Sequence, residues 1–133
     1  MGVTGISTVT LPSSAEFSLA AKDGQMYKIQ ASWPMEWRSR QGHEHVAVPY
    51  AVDGNAMFLT AAEAAWRRAT GPHYKGGCVV VSIGYPLKGA VFSPRRNYDL
   101  TPPSPSAPVG FGGAEHFLDF VQYTLKPLRG KSF

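Results

Sequence analysis

The chain has 133 residues, a net charge of +4 and 44% hydrophobic residues, which predicts a globular domain, or a piece of one, rather than a disordered polymer. Its Lys and Arg residues are scattered without interleaved aromatics, which argues against a nucleic-acid surface, and no apolar run approaches the ~18 residues that a membrane span needs. The single cysteine, Cys78, excludes an intramolecular disulfide, and because the start shows no signal-peptide pattern we expect a cytoplasmic protein.

The N-terminal part of the chain predicts an antiparallel hairpin. Residues 1–15 are small and polar, which is typical of a loose leader. The stretches Glu16–Ala20 and Met26–Trp33 alternate apolar and polar residues on either side of a turn at Asp23-Gly24. The apolar face of the second stretch consists of Tyr27, Ile29, Ala31 and Trp33. We therefore expect one face of this hairpin to be buried and the other to be polar.

The polar loop from Met35 to Glu44 contains His43, and His45 follows it. The spacing His-x-His suggests a metal site. Such a site needs three or four convergent ligands, and no cluster of Cys, Asp or Glu stands beside these histidines. The sequence therefore favours ordinary loop histidines, and we expect no metal.

The middle of the chain predicts a β-α-β unit. The apolar run Val46–Val52 is followed by the turn Asp53-Gly54-Asn55, by an alanine-rich helix over about Met57–Ala69, and by a second apolar run, Cys78–Ile83. Continuous apolar runs are typical of central parallel strands that are covered on both faces. Pro49 removes one ladder donor, so we expect a local irregularity there.

The C-terminal part predicts a long loop and a second helix. The loop Leu87–Pro108 is proline-rich and too long for a plain connector, and such loops are often functional. The helix Phe117–Leu128 has one apolar stripe for packing on a sheet. The stripe consists of Phe117, Phe120, Val121, Thr124, Leu125 and Leu128. Residues 129–133 form a short tail.

Two features of the sequence suit the binding of an anion. The turn Asp53-Gly54-Asn55 lies where a parallel strand ends and a helix begins, and helix N-termini at this edge of a sheet favour anions and oxyanions. An equally good interpretation is a plain helix cap with a turn glycine. Arg95 and Arg96 in the long loop are suited to hold a carboxylate. The alternative is an internal Arg–Asp bond that orders the loop.

Ser82, Asp99 and His116 follow one another in the order that the catalytic triad has in α/β-hydrolases. A nucleophile elbow needs a strained turn that runs directly from strand into helix, with small residues beside the serine. Here Val80 stands two residues before the serine, and Gly84 leads into a loop. We therefore interpret Ser82 as an ordinary strand residue.

Four motifs in a fixed order, followed by a helix, resemble one enzyme family. They are Tyr27–Pro34, Val52–Phe58, Ile83–Pro86 and Arg96–Pro102, with the helix Phe117–Leu128 after them. Together they look like the N-terminal half of the α/β-hydrolase esterases that include the enterobactin and salmochelin siderophore esterases. The resemblance covers about residues 16–128 and is specific to this group of esterases, though not to one substrate.

The resemblance implies a partial α/β-hydrolase fold, with an N-terminal antiparallel hairpin, parallel strands and two helices. It also implies a serine esterase lineage that cuts ester or lactone bonds of a siderophore-like substrate without a cofactor. In that family Gly54 and Asn55 match the oxyanion loop, and Arg96 matches an arginine that contacts the anionic siderophore. Arg95 has no such match.

The resemblance also has a gap. In these esterases the elbow serine, the acid and the catalytic histidine come after the last helix present here, whereas the chain stops at Phe133. We therefore expect a truncated esterase with no catalytic residues of its own, inactive alone. One alternative is a non-catalytic binding module that pairs through its sheet edge with a second copy or with a separate C-terminal half. Another is the marginally stable product of a decaying gene.

Overall fold

The computed structural model describes residues 2–38, 46–70 and 77–128; His43, His45 and the tail 129–133 lie outside these ranges. The described strands form one four-stranded mixed sheet with the order β1-β2-β4-β3. The strands are β1 (Ser14–Ala20), β2 (Met26–Ser32), β3 (Tyr50–Ala51) and β4 (Val80–Gly84). The predicted partial α/β architecture therefore has its hairpin at one end of the sheet and its parallel strands at the other.

The predicted hairpin is confirmed. β1 and β2 are antiparallel with Phe17 opposite Ile29, and β2 continues antiparallel onto β4 with Ile29 opposite Ile83. The turn between them closes with the amide of Gly24 donating to the carbonyl of Ala21 at 3.0 Å. Since residues opposite each other share a face, the apolar side chains of three strands form one continuous surface.

The parallel pairing of β3 with β4 is confirmed, but the prediction of a long strand covered on both faces is wrong. β3 has only two residues and is the last strand in the order, and Val52 is 41% exposed. Upstream of it there is only an isolated bridge between Ala47 and Cys78. The cause is Pro49, which lacks the N–H that would continue the ladder between these two points. The predicted irregularity at Pro49 is thus confirmed.

The helices differ from the two that the sequence predicted. α1 (Gly54–Ala69) begins three residues earlier than expected, and a four-residue helix, α2 (Arg96–Asp99), lies inside the long loop. α3 (Ala114–Phe120) continues through a π-helical turn at Val121–Leu125 into a 3₁₀ turn at Lys126–Leu128. α2 is too short to show a helical period in the sequence. No helix within the described ranges has both the length and the apolar character to cross a membrane.

The main core lies between the sheet and α3. Phe117, Phe120 and Leu125 are buried there against Tyr27 and Ile29. The ring of Tyr27 lies 4.5 Å from that of Phe120. α1 covers the opposite face, where the indole N–H of Trp66 donates to the carbonyl of Trp33 at 2.8 Å. Helices on both faces are the arrangement expected of an α/β sheet.

Candidate functional site

The carboxyl end of β4 brings together the segments that the sequence singled out. β2 runs antiparallel to β4 with Lys28 opposite Gly84, so the β1–β2 turn lies at the same edge as the end of β4. α1 begins at this edge, because Gly54 abuts the backbone of Gly84. α2 follows β4 in the chain and bonds to both α1 and the sheet, as described below. In open α/β sheets, ligands bind at such an edge.

Asp53 forms the turn that starts α1. It has a left-handed backbone, with φ 52° and ψ 46°, and its carbonyl accepts from the amides of Ala56 and Met57 at 2.9 and 3.0 Å. The first amides of an α-helix have no acceptor within the helix. The amides of Gly54 and Asn55 therefore open the helix at the position where the sequence places the oxyanion loop.

Gly54 is held tightly against β4. A Cβ at this position would lie 2.9 Å from the main-chain N of Gly84, from the carbonyl C of Ile83 and from the hydroxyl of Ser82. Two of these atoms belong to the backbone and cannot rotate away. The glycine is therefore required by the close approach of α1 to β4, a requirement that the turn-glycine interpretation did not include.

The side chain of Asn55 binds the main chain of Tyr85, just beyond the end of β4. Its Oδ1 accepts from the Tyr85 N–H at 2.7 Å, and its Nδ2 donates to the Tyr85 carbonyl at 2.8 Å. Gly84 leaves room for this contact, because a Cβ there would lie 2.5 Å from Oδ1 and 3.0 Å from the main-chain N of Asn55. The amide side chain thus locks the start of α1 to the end of β4.

Arg96, the predicted substrate-binding residue, forms a two-point ion pair with Asp53. Its Nε and Nη2 lie 2.8 and 2.9 Å from the two carboxylate oxygens. The bond to Asp53 raises the pKa of the Arg96 guanidinium. The side chain of Asp53 is 13% exposed and that of Arg96 39% exposed, so the arginine keeps an open outer edge. The predicted internal Arg–Asp bond is confirmed, whereas contact between Arg96 and a substrate stays a prediction.

Arg95 takes part in a second, more buried network. Its Nε lies 3.1 Å from Oδ1 of the buried Asp99, and its Nη2 lies 2.9 Å from Asp23 in the β1–β2 turn. Oδ2 of Asp99 accepts from the hydroxyls of Tyr27 and Tyr85 at 2.9 and 2.7 Å. Burial, together with the Asp99 carboxylate, raises the pKa of both tyrosines well above the ordinary value.

Sequence reasoning missed the roles of Asp99, Tyr27 and Tyr85 in this network. Tyr27 was assigned only to an apolar face, and Asp99 only to a triad. The one signal that pointed here was the Arg–Asp alternative for the long loop. A charged residue in a helix of four residues gives no periodic pattern from which its burial can be read.

Ser82, Asp99 and His116 do not form a triad. Ser82 lies within β4, fully buried on the face that α1 covers, and opposite Gln30 of β2. Asp99 bonds to tyrosines on the other face, and the exposed ring of His116 stacks on Tyr98. The rejection of Ser82 as a nucleophile is consistent with this separation.

A cavity of about 330 Å³ opens at the same edge, on the α3 side of the sheet. This volume is at the lower end of that of small-molecule pockets, about 300–1,000 Å³. Its walls come from the β1–β2 turn, α2 and α3 and include Lys22, Asp23, Arg95, Tyr98, His116 and Tyr123. Aromatic rings and charges of both signs thus lie next to the Asp53–Asn55 turn. Within the described ranges no three His, Cys, Asp or Glu side chains converge as metal ligands would.

No protein-family model matches the chain. Over 121 residues it is 52% identical to the siderophore triacetylfusarinine C esterase of Aspergillus fumigatus, covering 90% of this chain and 41% of that protein. Over 127 residues it is 42% identical to the siderophore enterobactin esterase of Emericella nidulans, covering 85% of this chain and 42% of that protein. The resemblance to the siderophore esterases is confirmed.

The fold gives the same answer. The siderophore hydrolase EstB of Aspergillus nidulans superimposes with a TM-score of 0.85 at 48% identity, over 92% of this chain and 45% of that one. The chain thus spans less than half the length of each siderophore esterase that it matches, an extent consistent with the predicted N-terminal half. The described site accordingly contains the turn, the two arginines and the cavity, without a serine at a strand-to-helix elbow.

Proposed function

We propose that this chain carries the substrate-side half of a siderophore ester hydrolase. In this proposal the main-chain amides of Gly54 and Asn55 bind the oxyanion of the tetrahedral intermediate. The outer edge of Arg96 binds an anionic group of the substrate. The nucleophile, the acid and the histidine come from residues outside these 133. The supporting observation is that the Asp53–Asn55 turn opens a long helix at the carboxyl edge of a sheet that matches those of siderophore esterases.

On their own the 133 residues are expected to hydrolyse no ester. Ser82 is fully buried, and no other serine within the described ranges follows a strand and begins a helix. The test is to incubate the chain with triacetylfusarinine C and with a p-nitrophenyl ester, and to follow products by mass spectrometry and absorbance. Turnover that Ser82→Ala abolishes would show that a nucleophile of this chain was misjudged.

The oxyanion and substrate roles are tested in a chimera. Residues 1–128 of this chain replace the matching segment of the Aspergillus fumigatus esterase, with which they are 52% identical over the aligned part. We expect the chimera to hydrolyse triacetylfusarinine C, and Arg96→Gln to raise KM about tenfold or more, since a charge-assisted contact of ~1.5 kcal/mol would be lost.

The matched control is Arg67→Gln, which removes an arginine from an exposed pair with Glu63 on α1. It should leave KM unchanged. An inactive chimera that is nevertheless folded would argue against the proposed function. An active chimera in which Arg96→Gln changes neither KM nor kcat would argue against the assignment of Arg96 alone.

A second candidate is an assembly module that pairs with another chain. It is favoured by the position of the parallel strand β3, which is last in the order of the described sheet, because sheet ends are sites of strand addition. Size-exclusion chromatography with light scattering tests it. A dimer, or co-elution with a polypeptide that carries the C-terminal half of the relative, supports this candidate. A clean monomer in both experiments contradicts it.

A further inference from the structure

The backbone of Asp53 is strained in a way that only its surroundings can maintain. A left-handed conformation costs a residue other than glycine about 1–2 kcal/mol. Asp53 adopts it with φ 52°, and its side chain makes no capping bond to the helix that it starts. The direction of the first turn of α1 depends on this conformation, because the amides of Ala56 and Met57 both donate to the Asp53 carbonyl.

Arg96 holds the side chain of this residue at two points. Both carboxylate oxygens of Asp53 are bound by the guanidinium, at 2.8 and 2.9 Å, which fixes the plane of the carboxylate as well as its position. The guanidinium itself lies over the ring of Phe92 at 5.3 Å. Lysine carries the same charge but cannot make a planar two-point contact.

The contacts around the turn close into a ring. Asn55, two residues after Asp53, is bound to the backbone of Tyr85, and the hydroxyl of Tyr85 donates to Asp99. Asp99 is the last residue of α2, the helix that Arg96 begins. The turn is therefore tied to α2 by two separate routes, one through Asp53 and one through Asn55.

We propose that Arg96 is a positioning residue, which keeps the Gly54–Asn55 amides aligned by holding Asp53 in its left-handed conformation. This rests on the proposed function for its catalytic meaning. In that function, Arg96 acts on the ester through the geometry of the turn, in addition to any contact of its outer edge with the substrate. The positioning itself is a property of this chain and can be measured without hydrolysis.

The experiment is amide hydrogen exchange by NMR on the 133-residue chain and its variants. The reporters are the amides of Ala56 and Met57, and the amides of β2 and β4 report global opening. We expect Arg96→Gln and Arg96→Lys each to speed exchange at the two reporters about fivefold or more, the factor that the strain of a left-handed residue implies. The β2 and β4 amides and the control Arg67→Gln should be unaffected.

Asp53→Gly provides the decisive comparison. Glycine adopts the left-handed conformation without strain, so adding Arg96→Gln to Asp53→Gly should change reporter exchange less than twofold, within about 0.4 kcal/mol. The proposal is overturned if Arg96→Lys exchanges like the unmodified chain, because charge alone would then suffice. It is overturned equally if the double variant shows the full effect, if the β2 and β4 amides accelerate in parallel, or if the unmodified chain protects none of these amides. Failure of the chimera to hydrolyse its substrate would leave these results intact.

Discussion

Asn55 and Tyr85 face each other as a side-chain amide and a main-chain amide, joined by two hydrogen bonds of 2.7 and 2.8 Å. A peptide group at the end of a strand normally bonds to a neighbouring strand. Here a side chain takes the place of that strand, at the point where α1 begins. The contact gives the candidate oxyanion turn a fixed position relative to the sheet, and it requires Gly84, since a Cβ there would overlap Oδ1.

Replacing Asn55 tests this contact. Asn55→Ala leaves the N–H and C=O of the buried Tyr85 without their partner, which should lower the free energy of unfolding by about 1–3 kcal/mol. Asn55→Asp retains an acceptor for the N–H but sets a carboxylate against the Tyr85 carbonyl, and it should also destabilise. Urea denaturation with unchanged m-value is the measurement. The control is Gln122→Ala, whose exposed amide bonds only to Lys126, at 3.4 Å. Equal effects of Asn55→Ala and Gln122→Ala would contradict the locking role.

Asp99 is the centre of the polar network on the α3 side. It is 1% exposed and accepts from Tyr27, Tyr85 and Arg95. Asp99→Asn removes a buried charge that pairs with Arg95 and replaces one acceptor by a donor, so unfolding should become easier by about 3 kcal/mol or more. The exposed Asp119→Asn on α3 is the matched control and should change little. A loss below 1 kcal/mol in Asp99→Asn, measured by urea denaturation, would show that the network contributes nothing net.

The alternation of Tyr27, Ile29 and Ala31 predicted the hairpin and its buried face correctly, because a period of two has one structural meaning once one face is apolar. The turn after Val52 was also located correctly, since an apolar run, a turn triplet and an alanine-rich stretch follow one another directly. The family resemblance added the matching of Gly54, Asn55 and Arg96 to a site, which spacing alone left undecided.

The parts that sequence could not provide depend on distant partners. The left-handed Asp53 is stable beside Arg96, which lies 43 residues away, and no local pattern records that pair. The shortening of β3 depends on which edge of the sheet Pro49 faces. The π-helical turn at Val121–Leu125 interrupts a stripe that looked regular, and such insertions follow from packing rather than from local propensity.

Gly113 permits close packing of α3 on α2. A Cβ at this position would overlap the ring of Tyr98, and the Gly113 amide donates to the Tyr98 carbonyl at 2.7 Å. The backbone there is not left-handed, so the constraint is steric. Gly113→Ala should therefore destabilise the chain by about 1–3 kcal/mol through overpacking. Thermal melting is the measurement. In a Tyr98→Ala background the same substitution should cost little, and an undiminished cost there would contradict the steric explanation.

The two buried tyrosines predict a loss of stability at alkaline pH. Burial and the nearby Asp99 raise the pKa of Tyr27 and Tyr85 in the folded chain, whereas an unfolded tyrosine titrates near pH 10. The folded state therefore holds these protons more tightly. Its stability is fully present below pH ~10 and falls as the pH rises above it, by up to about 1.4 kcal/mol per pH unit for each tyrosine. Urea denaturation between pH 9 and pH 11, a range of about one unit on either side of the ordinary pKa, measures the slope.

Substitution identifies the groups responsible for that slope. Tyr85→Phe lacks the titrating hydroxyl, so the stability gap between it and the unmodified chain should narrow as the pH rises above ~10. Tyr123→Phe is the control, because the side chain of Tyr123 is 70% exposed on the π-helical turn, and its gap should stay constant. A gap for Tyr85→Phe that is constant across this range would mean that the tyrosine hydroxyl ionises as readily in the folded chain as in the unfolded one. The bond to Asp99 would then not bind the proton in the way that the buried network requires.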